Sequence, residues 1–446
     1  MKVGFVGLGY VGLTTAVCMA VKGFRVVGVD VDEEKVVSIR KGELPFREPG
    51  AEKLLKRAVR GKNFKCTTEH RELTGSDVVF LTVGTPSRED GSIDLRYVAE
   101  AAGAVGEVLA KSGKKQAIAV KSTVVPGTTR TVVRERLEEK SGKKVGKGFL
   151  LAANPEFLRE GSAVQDTLKP DRIVVGDDWG GADKALLILY RRFYGVRMPP
   201  VIKTNTVNAE MIKYASNTFL AARISLINDI ANICQRVPGA DVVVVARGIG
   251  LDRRIGPYFL NAGLGYGGSC FPKDVKALIA FAQNLGYKPA VPESVEKVNT
   301  SQPYRAVELA EDLVGSLAGK KAAILGLSFK PNTDDVREAV SLKIIDRLLE
   351  SGCSVSVYDP AAMKNVQRIY GDKIRYASSP VGCLRDADLC IIATEWDEFK
   401  KLKPSDFQRQ MRTPVVVDGR RIYDPQLFSK TISYAAVGLG PLNQYS

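Results

Sequence analysis

The sequence predicts an α/β protein with two Rossmann-like, doubly wound domains joined by a long central helix and a helical core. Three features predict this fold. Short apolar runs alternate with helix-length segments over about the first 200 residues, a long stretch without Gly or Pro follows, and the alternation then begins again. Such alternation is typical of a parallel sheet covered by helices on both faces.

The composition is that of a globular protein with several domains. The chain has 446 residues, 45% of them hydrophobic, and its 65 Lys and Arg exceed its 50 Asp and Glu to give a net charge of +15. At about 150 residues per domain, this length predicts two to four domains and favours an enzyme. The composition excludes intrinsically disordered, collagen-like and coiled-coil proteins.

The strands of the first α/β region are predicted from short apolar runs. Residues 2–6 form a strand, a glycine turn and a helix to about Lys22 follow, and residues 25–30 form the next strand. Four later runs are also predicted as strands: residues 77–83, 116–123, 148–154 and 172–176. Runs of this length, bounded by turn residues, are typical of buried strands.

A glycine-rich turn connects the first predicted strand to the first predicted helix. Gly7, Gly9 and Gly12 form the pattern G-x-G-x-x-G, which allows a tight turn and brings backbone N–H groups close to a pyrophosphate. Asp30 ends the next strand, where a carboxylate accepts hydrogen bonds from a ribose diol. Because an acid at this position disfavours a ribose 2′-phosphate, the pattern predicts NAD rather than NADP as the cofactor.

The middle of the chain is predicted to be helical. The pattern from residue 208 to about 237 predicts one long helix, which we expect to form a spine between domains and a dimer surface. Two further helices are expected at about 272–286 and 293–315, with a proline-containing turn between them.

The alternation of strands and helices resumes after the helical region. Residues 320–329 and 354–360 are predicted strands with the helix AVSLKIIDRLLESG between them, and DLCIIATE and PVVVDGR are predicted as later strands. The loop after the first of these strands lacks the full glycine pattern of the N-terminal domain. We therefore expect this second α/β domain to bind a different ligand.

Residue counts exclude several kinds of site. His70 is the only histidine, and its polar surroundings predict a surface position, so neither a Ser-His-Asp triad nor a histidine-rich metal site is expected. The seven cysteines show no C-x-x-C spacing, so neither disulfides nor a zinc site is expected, and most of them are predicted to be buried hydrophobes. No metal is expected.

Charge and hydropathy limit the partners. No apolar run is long enough to span a bilayer, and glycines interrupt the apolar N-terminus, so we expect a cytoplasmic protein with no membrane partner. The positive net charge favours an anionic partner. Basic residues are dispersed among acids without a nucleic-acid-binding signature, which favours a phosphate-bearing small molecule over nucleic acid.

Two further groups of residues are candidates for chemistry. The segment GLGYGGSCFPKD, residues 263–274, places Cys270 at or near a helix start, where the thiolate is favoured over the thiol. Seen alone, a cysteine in a glycine loop is more often structural than catalytic. Lys213 and Asn217 stand four apart and point from one helix face, which fits either solvated side chains or a shared site.

Taken together, these segments resemble the UDP-glucose/GDP-mannose dehydrogenase family, whose members oxidise the C6 alcohol of a nucleotide hexose to a carboxylate with two NAD. GLGYVG, KSTVVPGTT, NPEFLREG, GGSCFPKD and FKPNTDD-x-R occur in the family's order over nearly the whole chain. GGSCFPKD resembles the form found with UDP-glucose. The resemblance implies an NAD-binding domain at residues 1–200, a helical dimerisation domain at 201–312 and a UDP-sugar-binding domain at 313–446.

The resemblance also implies how the reaction proceeds. Cys270 is expected to attack an intermediate aldehyde, giving a thiohemiacetal and then a thioester. Lys213 and Asn217 are expected to stabilise negative charge on the C6 oxygen. UDP-glucose is the expected substrate and UDP-glucuronate the expected product.

Hydrolysis of the thioester needs a base. Glu156 is the expected base and Glu160 its competitor, while Thr123 and Asp274 are expected to orient the water or Lys213. Cofactor contacts are expected at Gly7, Gly9, Gly12, Asp30, Lys35, Thr85, Thr123 and Arg337. Substrate contacts are expected at Glu160, Lys213, Arg254, Phe259, Gly267, Lys330 and Arg420, with Arg421 as the alternative to Arg420.

The assembly and the alternatives follow from the same resemblance. Arg254 resembles an arginine that is donated to the substrate site of the neighbouring subunit, which implies a homodimer. GDP-mannose and UDP-N-acetylhexosamines are the alternative substrates within the family, although the FPKD ending argues against the acetamido type. A non-catalytic protein that binds phosphate-bearing ligands is the alternative of a different class, and the presence of Cys270, Lys213 and Glu156 in one chain argues against it.

Overall fold

The computed structural model describes residues 1–441, which form two compact units that meet in the sequence at Ser216 and Asn217. Each unit is built on one large sheet with helices. Among the described residues, the helices that have enough length to cross a bilayer lack the necessary apolar character.

The sheet of the first unit has eight strands in the order β3-β2-β1-β4-β5-β6-β7-β8. The strands are β1 (Lys2–Val6), β2 (Arg25–Val29), β3 (Phe64–Thr67), β4 (Val78–Leu81), β5 (Ala117–Val120), β6 (Leu150–Ala153), β7 (Ile173–Gly176) and β8 (Val201–Thr204). The order reverses between β1 and β4, and ligands of doubly wound sheets bind where the order reverses, beyond the carboxyl ends of the strands.

One pair of strands departs from the parallel sheet that the sequence predicts. β6 and β7 pair in antiparallel fashion, through Ala153 and Gly176, whereas the other neighbours in this sheet are parallel. The connection from β6 to β7 carries only a six-residue helix, Ala163–Leu168, which is shorter than the usual crossover helix of a parallel pair.

The helices of the first unit cover this sheet. They are α1 (Tyr10–Val21), α2 (Glu33–Lys41), α3 (Ala51–Arg60), α4 (Arg96–Lys111), α5 (Arg134–Ser141), α6 (Ala163–Leu168) and α7 (Ala182–Tyr194), and α8 (Thr206–Cys234) begins in this unit. All residues of β4 and β5 are buried, as expected for central strands that helices cover on both faces. His70, predicted at the surface, is instead half-buried at the start of a short 3-10 helix.

The helical part of the second unit contains a helix at Val242–Gly250 that was not predicted, and Pro292 of the expected turn lies inside a helix. After α8 come α9 (Val242–Gly250), α10 (Phe271–Asn284), α11 (Ala290–Ser301) and α12 (Tyr304–Val314). The prediction of a single helix at about 293–315 is therefore wrong, because the helix is interrupted between Ser301 and Tyr304. Pro303 lies at the break; proline has no N–H, and its ring clashes with the preceding helical turn.

The second sheet has six parallel strands in the order β11-β10-β9-β12-β13-β14. Its strands are β9 (Lys321–Leu325), β10 (Ser354–Tyr358), β11 (Arg375–Tyr376), β12 (Leu389–Ile392), β13 (Val415–Asp418) and β14 (Ser433–Ala436). Its helices are α13 (Val340–Glu350), α14 (Met363–Tyr370), α15 (Pro380–Leu384), α16 (Pro404–Gln410) and α17 (Pro425–Ser429). The order reverses between β9 and β12, so the prediction of two Rossmann-like units is confirmed.

Candidate active site

Two glycines of the N-terminal turn are required by the protein chain itself. Gly7 has a φ of +94°, and a Cβ there would lie 2.8 Å from the backbone of Val83. A Cβ on Gly12 would lie 2.0 Å from the carbonyl oxygen of Gly7. These glycines therefore allow the tight passage from β1 into α1.

Gly9 differs from its two neighbours in the pattern. Its φ of −73° suits any residue, and a Cβ added there would meet no protein atom within 4 Å. The residue is the N-cap of α1, where backbone N–H groups lie open to a ligand. A ligand that closely approaches this backbone is a physical reason for glycine here, and a pyrophosphate fits that description, so the turn fits NAD.

Asp30 lies at the carboxyl end of β2, beside this turn, and is buried. Its carboxylate accepts hydrogen bonds from Leu8 N at 2.7 Å and from Asp32 N at 3.1 Å, and pairs with Lys35 Nζ at 3.1 Å. The structure thus brings Asp30 and Lys35, both expected to contact the cofactor, into one ion pair.

The loops after β4 and β5 bring together two threonines that were expected at the cofactor. Thr85 Oγ1 donates a hydrogen bond to the carbonyl oxygen of Thr123 at 2.9 Å. Thr85 is buried, and Thr123 is half-buried. Both loops follow carboxyl ends of strands, on the same edge of the sheet as the glycine turn.

Glu156 and Lys213 form a buried ion pair. Lys213 Nζ lies 2.9 Å from Glu156 Oε1, and the two side chains are only 4% and 7% exposed, respectively. The second carboxylate oxygen of Glu156 accepts a hydrogen bond from Leu158 N. Glu156 follows β6 and Lys213 lies on α8, so residues distant in sequence place a carboxylate and an ammonium together away from water.

Glu160, the competitor of Glu156, lies in the loop that follows and is half-buried. The next residue, Gly161, donates its N–H to Tyr10 Oη at 2.6 Å and to Glu48 Oε2 at 2.7 Å. Tyr10 directly follows Gly9 of the glycine turn. The glutamate loop is therefore tied to the glycine turn within the first unit.

Cys270 is the exposed member of the seven cysteines, and the other six are buried. It is the N-cap of α10, as predicted, and Ser269 Oγ lies 3.5 Å from its Sγ. Burial raises the pKa of the thiols of Cys18, Cys66 and Cys383 to about 12 and that of Cys353 to about 11. These buried thiols are therefore poor nucleophiles, whereas Cys270 combines exposure with a helix N-terminus.

Three buried carboxamides hold the glycine loop that precedes Cys270. Asn228 Oδ1 accepts from Gly263 N at 2.8 Å, and Gln302 Nε2 donates to the Gly263 carbonyl oxygen at 2.9 Å. Asn299 accepts from Tyr266 N at 2.8 Å and donates to Tyr266 O at 3.0 Å. The loop is therefore held by α8 and by the C-terminal part of α11.

Asp274 and Asn217, both named from the resemblance, bond to each other. Asn217 Nδ2 donates to Asp274 Oδ2 at 2.6 Å, and Lys273 Nζ lies 2.6 Å from Asp274 Oδ1. Asp274 is 1% exposed and lies in the first turn of α10. The Asp274 carboxylate therefore fixes the orientation of the Asn217 side-chain amide.

The structure gives Arg420 and Arg421 different surroundings. Arg420 Nε donates to the Ala393 carbonyl oxygen at 2.7 Å, and its Nη1 lies 3.4 Å from the carbonyl oxygen of Gly265 in the glycine loop. Its Nη2 is buried without a partner among the described residues. Arg421 pairs with Asp241 at 2.9 Å, whereas Arg420 Nε lies 3.5 Å from Glu395 Oε2.

Lys330 and Arg337 lie in the loop after β9. Lys330 Nζ is 5.3 Å from the centre of the Phe329 ring, and the exposed Arg337 pairs with Asp335 at 2.6 Å. The Arg337 carbonyl oxygen accepts from Gly268 N at 2.9 Å. This loop and the glycine loop of Cys270 are therefore in contact within the second unit.

Gly267 is required by close approach of the chain, because a Cβ there would lie 2.3 Å from the Glu338 carbonyl oxygen. Phe259 has a φ of +60°, and its ring lies 6.3 Å from that of Phe271, directly after Cys270. Arg254 projects into solvent, and its ion-pair partner among the described residues is Asp252, at 2.6 Å.

Several buried polar residues near these groups were not found from the sequence. They are Lys121, Asn154, Glu210, Asn228, Asn299 and Gln302. Single polar residues inside strands or helices carry no pattern that separates a buried site residue from a solvated one. Only Lys121 could have been suspected from the sequence, because it lies two residues before Thr123 at the end of a predicted strand.

Comparison with known proteins places this arrangement in one family. The NAD-binding, central and UDP-binding domain models of the UDP-glucose/GDP-mannose dehydrogenase family match residues 1–194, 207–301 and 323–425. A UDP-glucose 6-dehydrogenase from Haloferax volcanii is 47% identical over 95% of this chain and 97% of its own length.

Solved structures agree with the sequence comparison. A UDP-glucose dehydrogenase from Pyrobaculum islandicum superposes with a TM-score of 0.90 and 41% identity over 98% of this chain and 97% of its own. A UDP-D-ManNAc dehydrogenase from Pyrococcus horikoshii superposes with a TM-score of 0.85 but only 26% identity, over 98% and 99% of the two chains. The resemblance in the motifs is thus confirmed, and the chain belongs to the UDP-glucose/GDP-mannose dehydrogenase family.

Proposed function

We propose that this protein oxidises UDP-glucose to UDP-glucuronate in an NAD-dependent, four-electron reaction. The observation that carries the proposal is Cys270: an exposed thiol at a helix start, in a chain whose other cysteines are buried. Oxidation of an alcohol to an acid passes through an aldehyde, and a thiol nucleophile that adds to this aldehyde makes the second oxidation possible. The identity of 41–47% to UDP-glucose dehydrogenases, against 26% to a UDP-D-ManNAc dehydrogenase, favours glucose.

The first oxidation converts the C6 alcohol to an aldehyde. The C6 hydroxyl loses its proton and C6 loses a hydride; this hydride would pass to one NAD, and the hydride of the next oxidation to a second NAD, bound after the first has left as NADH. Lys213 and Asn217 stand four apart on α8 and supply an ammonium and an amide donor toward negative charge on the C6 oxygen. The bond from Asn217 to Asp274 orients that amide.

The second oxidation needs Cys270. Its Sγ adds to the aldehyde carbon, the oxygen takes a proton, and a thiohemiacetal results. Loss of a second hydride from C6 to the second NAD, together with loss of the hydroxyl proton, gives a thioester. The amide-held glycine loop fixes the position of the Cys270 backbone during these steps.

Hydrolysis releases the acid. Glu156 accepts a proton from water, the water oxygen attacks the thioester carbon, and the C–S bond breaks to return the Cys270 thiolate. The ion pair with Lys213 gives Glu156 a fixed orientation, which favours it over Glu160 as the base. Thr123 is assigned to orient the water, and Arg420, Lys330 and Arg254 to bind the substrate.

Measurement of product stoichiometry tests the proposal. Purified protein should form two NADH for each UDP-glucose, and GDP-mannose and UDP-D-ManNAc should be poorer substrates. Formation of one NADH or none would contradict it. Cys270→Ala should abolish oxidation while UDP-glucose still binds, whereas Cys353→Ala, which removes a buried thiol, should keep the stoichiometry.

We also propose a homodimer, with α8 at its interface. Phe219, Leu226 and Ile233 are 66%, 62% and 59% exposed and recur every seven residues, so they form one apolar stripe along the helix. A second copy of the chain carries the same stripe, so the two stripes can cover each other. The exposed side chain of Arg254 suits donation to the neighbouring site.

Light scattering during gel filtration tests the dimer. Leu226→Lys should produce monomers, and Leu427→Lys, at an exposed leucine outside α8, should not. A monomeric wild-type protein would contradict the proposal. The three-domain division at 1–200, 201–312 and 313–446 and the cytoplasmic location remain predictions; the ranges matched by the three family models support the division.

A further inference from the structure

We propose that Lys121 is a positioning residue for the Glu156–Lys213 pair: it holds Asn154 and places a buried positive charge beside Glu156. The inference rests on the proposed function, because it concerns the base of the hydrolytic step. Lys121 directly follows β5, is 8% exposed and belongs to none of the groups assigned above.

The first part of the argument is the contact between Lys121 and Asn154. Lys121 Nζ lies 3.2 Å from Asn154 Oδ1 and 3.4 Å from the Asn154 carbonyl oxygen. Asn154 lies two residues before Glu156, with Pro155 between them. The ammonium therefore bonds to the backbone segment that leads from β6 into the catalytic glutamate.

The second part is that Asn154 is fixed from several sides. Its side chain donates to the Val174 carbonyl oxygen of β7 at 2.7 Å and accepts from Tyr190 Oη of α7. Its backbone N–H donates to the carbonyl oxygen of Val120 at 2.8 Å. Asn154 thus has a fixed position next to Glu156, and the Lys121 ammonium is one of the groups that hold it there.

The third part is charge. The acceptors within hydrogen-bonding distance of the ammonium are neutral oxygens, and the Phe80 ring lies 5.6 Å away. Burial lowers the pKa of Lys121 to about 8; Glu156 opposes this change and Lys213 adds to it. Glu156 and Lys213 are the titratable groups whose charges act on Lys121, and the Tyr190 hydroxyl shares the Asn154 Oδ1 acceptor with it. The ammonium therefore places a buried positive charge near the Glu156–Lys213 pair.

The pH dependence of turnover tests this role. Lys121→Met keeps the length of the side chain and removes its charge, so the acidic limb of the pH–rate profile should move to higher pH by about 1 unit. At pH values on the acidic limb, turnover of the variant should be about tenfold lower than that of the wild type, because a displacement of one pH unit changes the ionised fraction tenfold. Lys143→Met is the matched control, since this half-buried lysine donates to the Leu109 and Ser112 carbonyl oxygens. The control should keep the wild-type profile.

An unchanged profile in Lys121→Met, or an equal shift in Lys143→Met, would overturn the inference. The wild-type rate in the same buffers tests the proposed function by itself. If the wild type does not oxidise UDP-glucose, thermal unfolding still tests the coupling. The effect of Lys121→Met on the melting temperature at pH 7 should differ between the wild-type and Glu156→Gln backgrounds, and additive effects would contradict the inference.

Discussion

Cys270 is distinguished from the other cysteines by exposure and by its place at the start of α10. The buried thiols whose pKa burial raises are protonated at neutral pH and shielded from reagents. We therefore expect iodoacetamide to add one label to the native protein at pH 7.5, and peptide mass spectrometry to locate it at Cys270.

The control for this experiment is Cys270→Ala, which should take up no label until it is unfolded. Labelling of a buried cysteine as fast as Cys270 in the native wild type would contradict the prediction. Protection of Cys270 by UDP-glucose would further support its place in the substrate site.

Glu210 gives the stability of the first unit a dependence on pH. Its carboxylate accepts from Gly127 N at 2.6 Å and Thr129 N at 2.8 Å, yet burial raises its pKa from 4.5 to about 7. Because the folded-state pKa is above the unfolded one, its contribution to stability is full below about pH 4.5 and is lost as the pH rises through 7.

Glu210→Gln removes this titration. Between pH 5 and pH 8 the wild type should lose stability relative to the variant, by roughly 3 kcal/mol at most. Urea unfolding of both proteins at the two pH values measures the difference. Parallel pH dependence of wild type and variant would show that Glu210 does not titrate in this range.

At the scale of elements, the turn from β1 to α1 separates glycines needed for folding from a glycine needed for binding. Gly12→Ala places a Cβ against the Gly7 carbonyl oxygen, so it should lower the melting temperature. Gly9→Ala meets only open space. It should keep the wild-type melting temperature but weaken NAD binding at least tenfold, as measured by isothermal titration calorimetry.

The glycine loop of Cys270 is the second element with a defined support. Asn299→Ala removes two bonds to Tyr266 and leaves buried backbone groups unpaired, which should cost about 1–3 kcal/mol of the free energy of unfolding. Asn208→Ala, at an exposed asparagine of α8, should change it by less than about 0.5 kcal/mol. Urea unfolding measures both, and equal losses would contradict a specific role for Asn299.

Elements with strong local patterns were predictable, and those set by tertiary contacts were not. The apolar runs of β1, β4 and β12 and the uninterrupted helix α8 were found from periodicity and turn residues. Strands β3, β8, β11 and β14 were not identified, and α9, with the sequence VVVVARGIG, is helical despite four consecutive valines. Asp241 caps α9 by accepting from Val243 N at 2.8 Å, a contact that no periodicity shows.

The same division applies to the site. Motif order led to Glu156, Lys213, Asn217 and Asp274, and the structure joins them as Glu156 with Lys213 and Asn217 with Asp274. Lys121, by contrast, becomes visible only through its burial beside Asn154. A lysine in a sequence is most often solvated, so its role depends on packing that the sequence does not state.

At the scale of the whole molecule, the six strands of the second sheet repeat the order of the first six strands of the first sheet, but the aspartates that follow the second strand have different surroundings. Asp359, directly after β10, corresponds in position to Asp30, directly after β2. It accepts from the backbone N–H groups of Leu327, Ser328, Ala361 and Ala362, from Ser328 Oγ and from Trp396 Nε1. This carboxylate is saturated by the protein and has no capacity left for a ribose diol.

The chain should therefore bind one NAD, at the first unit, although it contains two Rossmann-like sheets. In the turn after β9, Ser328 stands at the position that Gly9 has in the turn after β1. A side chain therefore lies where a pyrophosphate would have to come close to the backbone. Calorimetric titration should give one NAD per chain; Asp30→Asn should weaken binding, and Asp359→Asn should lower the melting temperature while leaving NAD affinity unchanged. Two equivalents of NAD, or loss of affinity in Asp359→Asn, would mean that the second sheet also holds the dinucleotide.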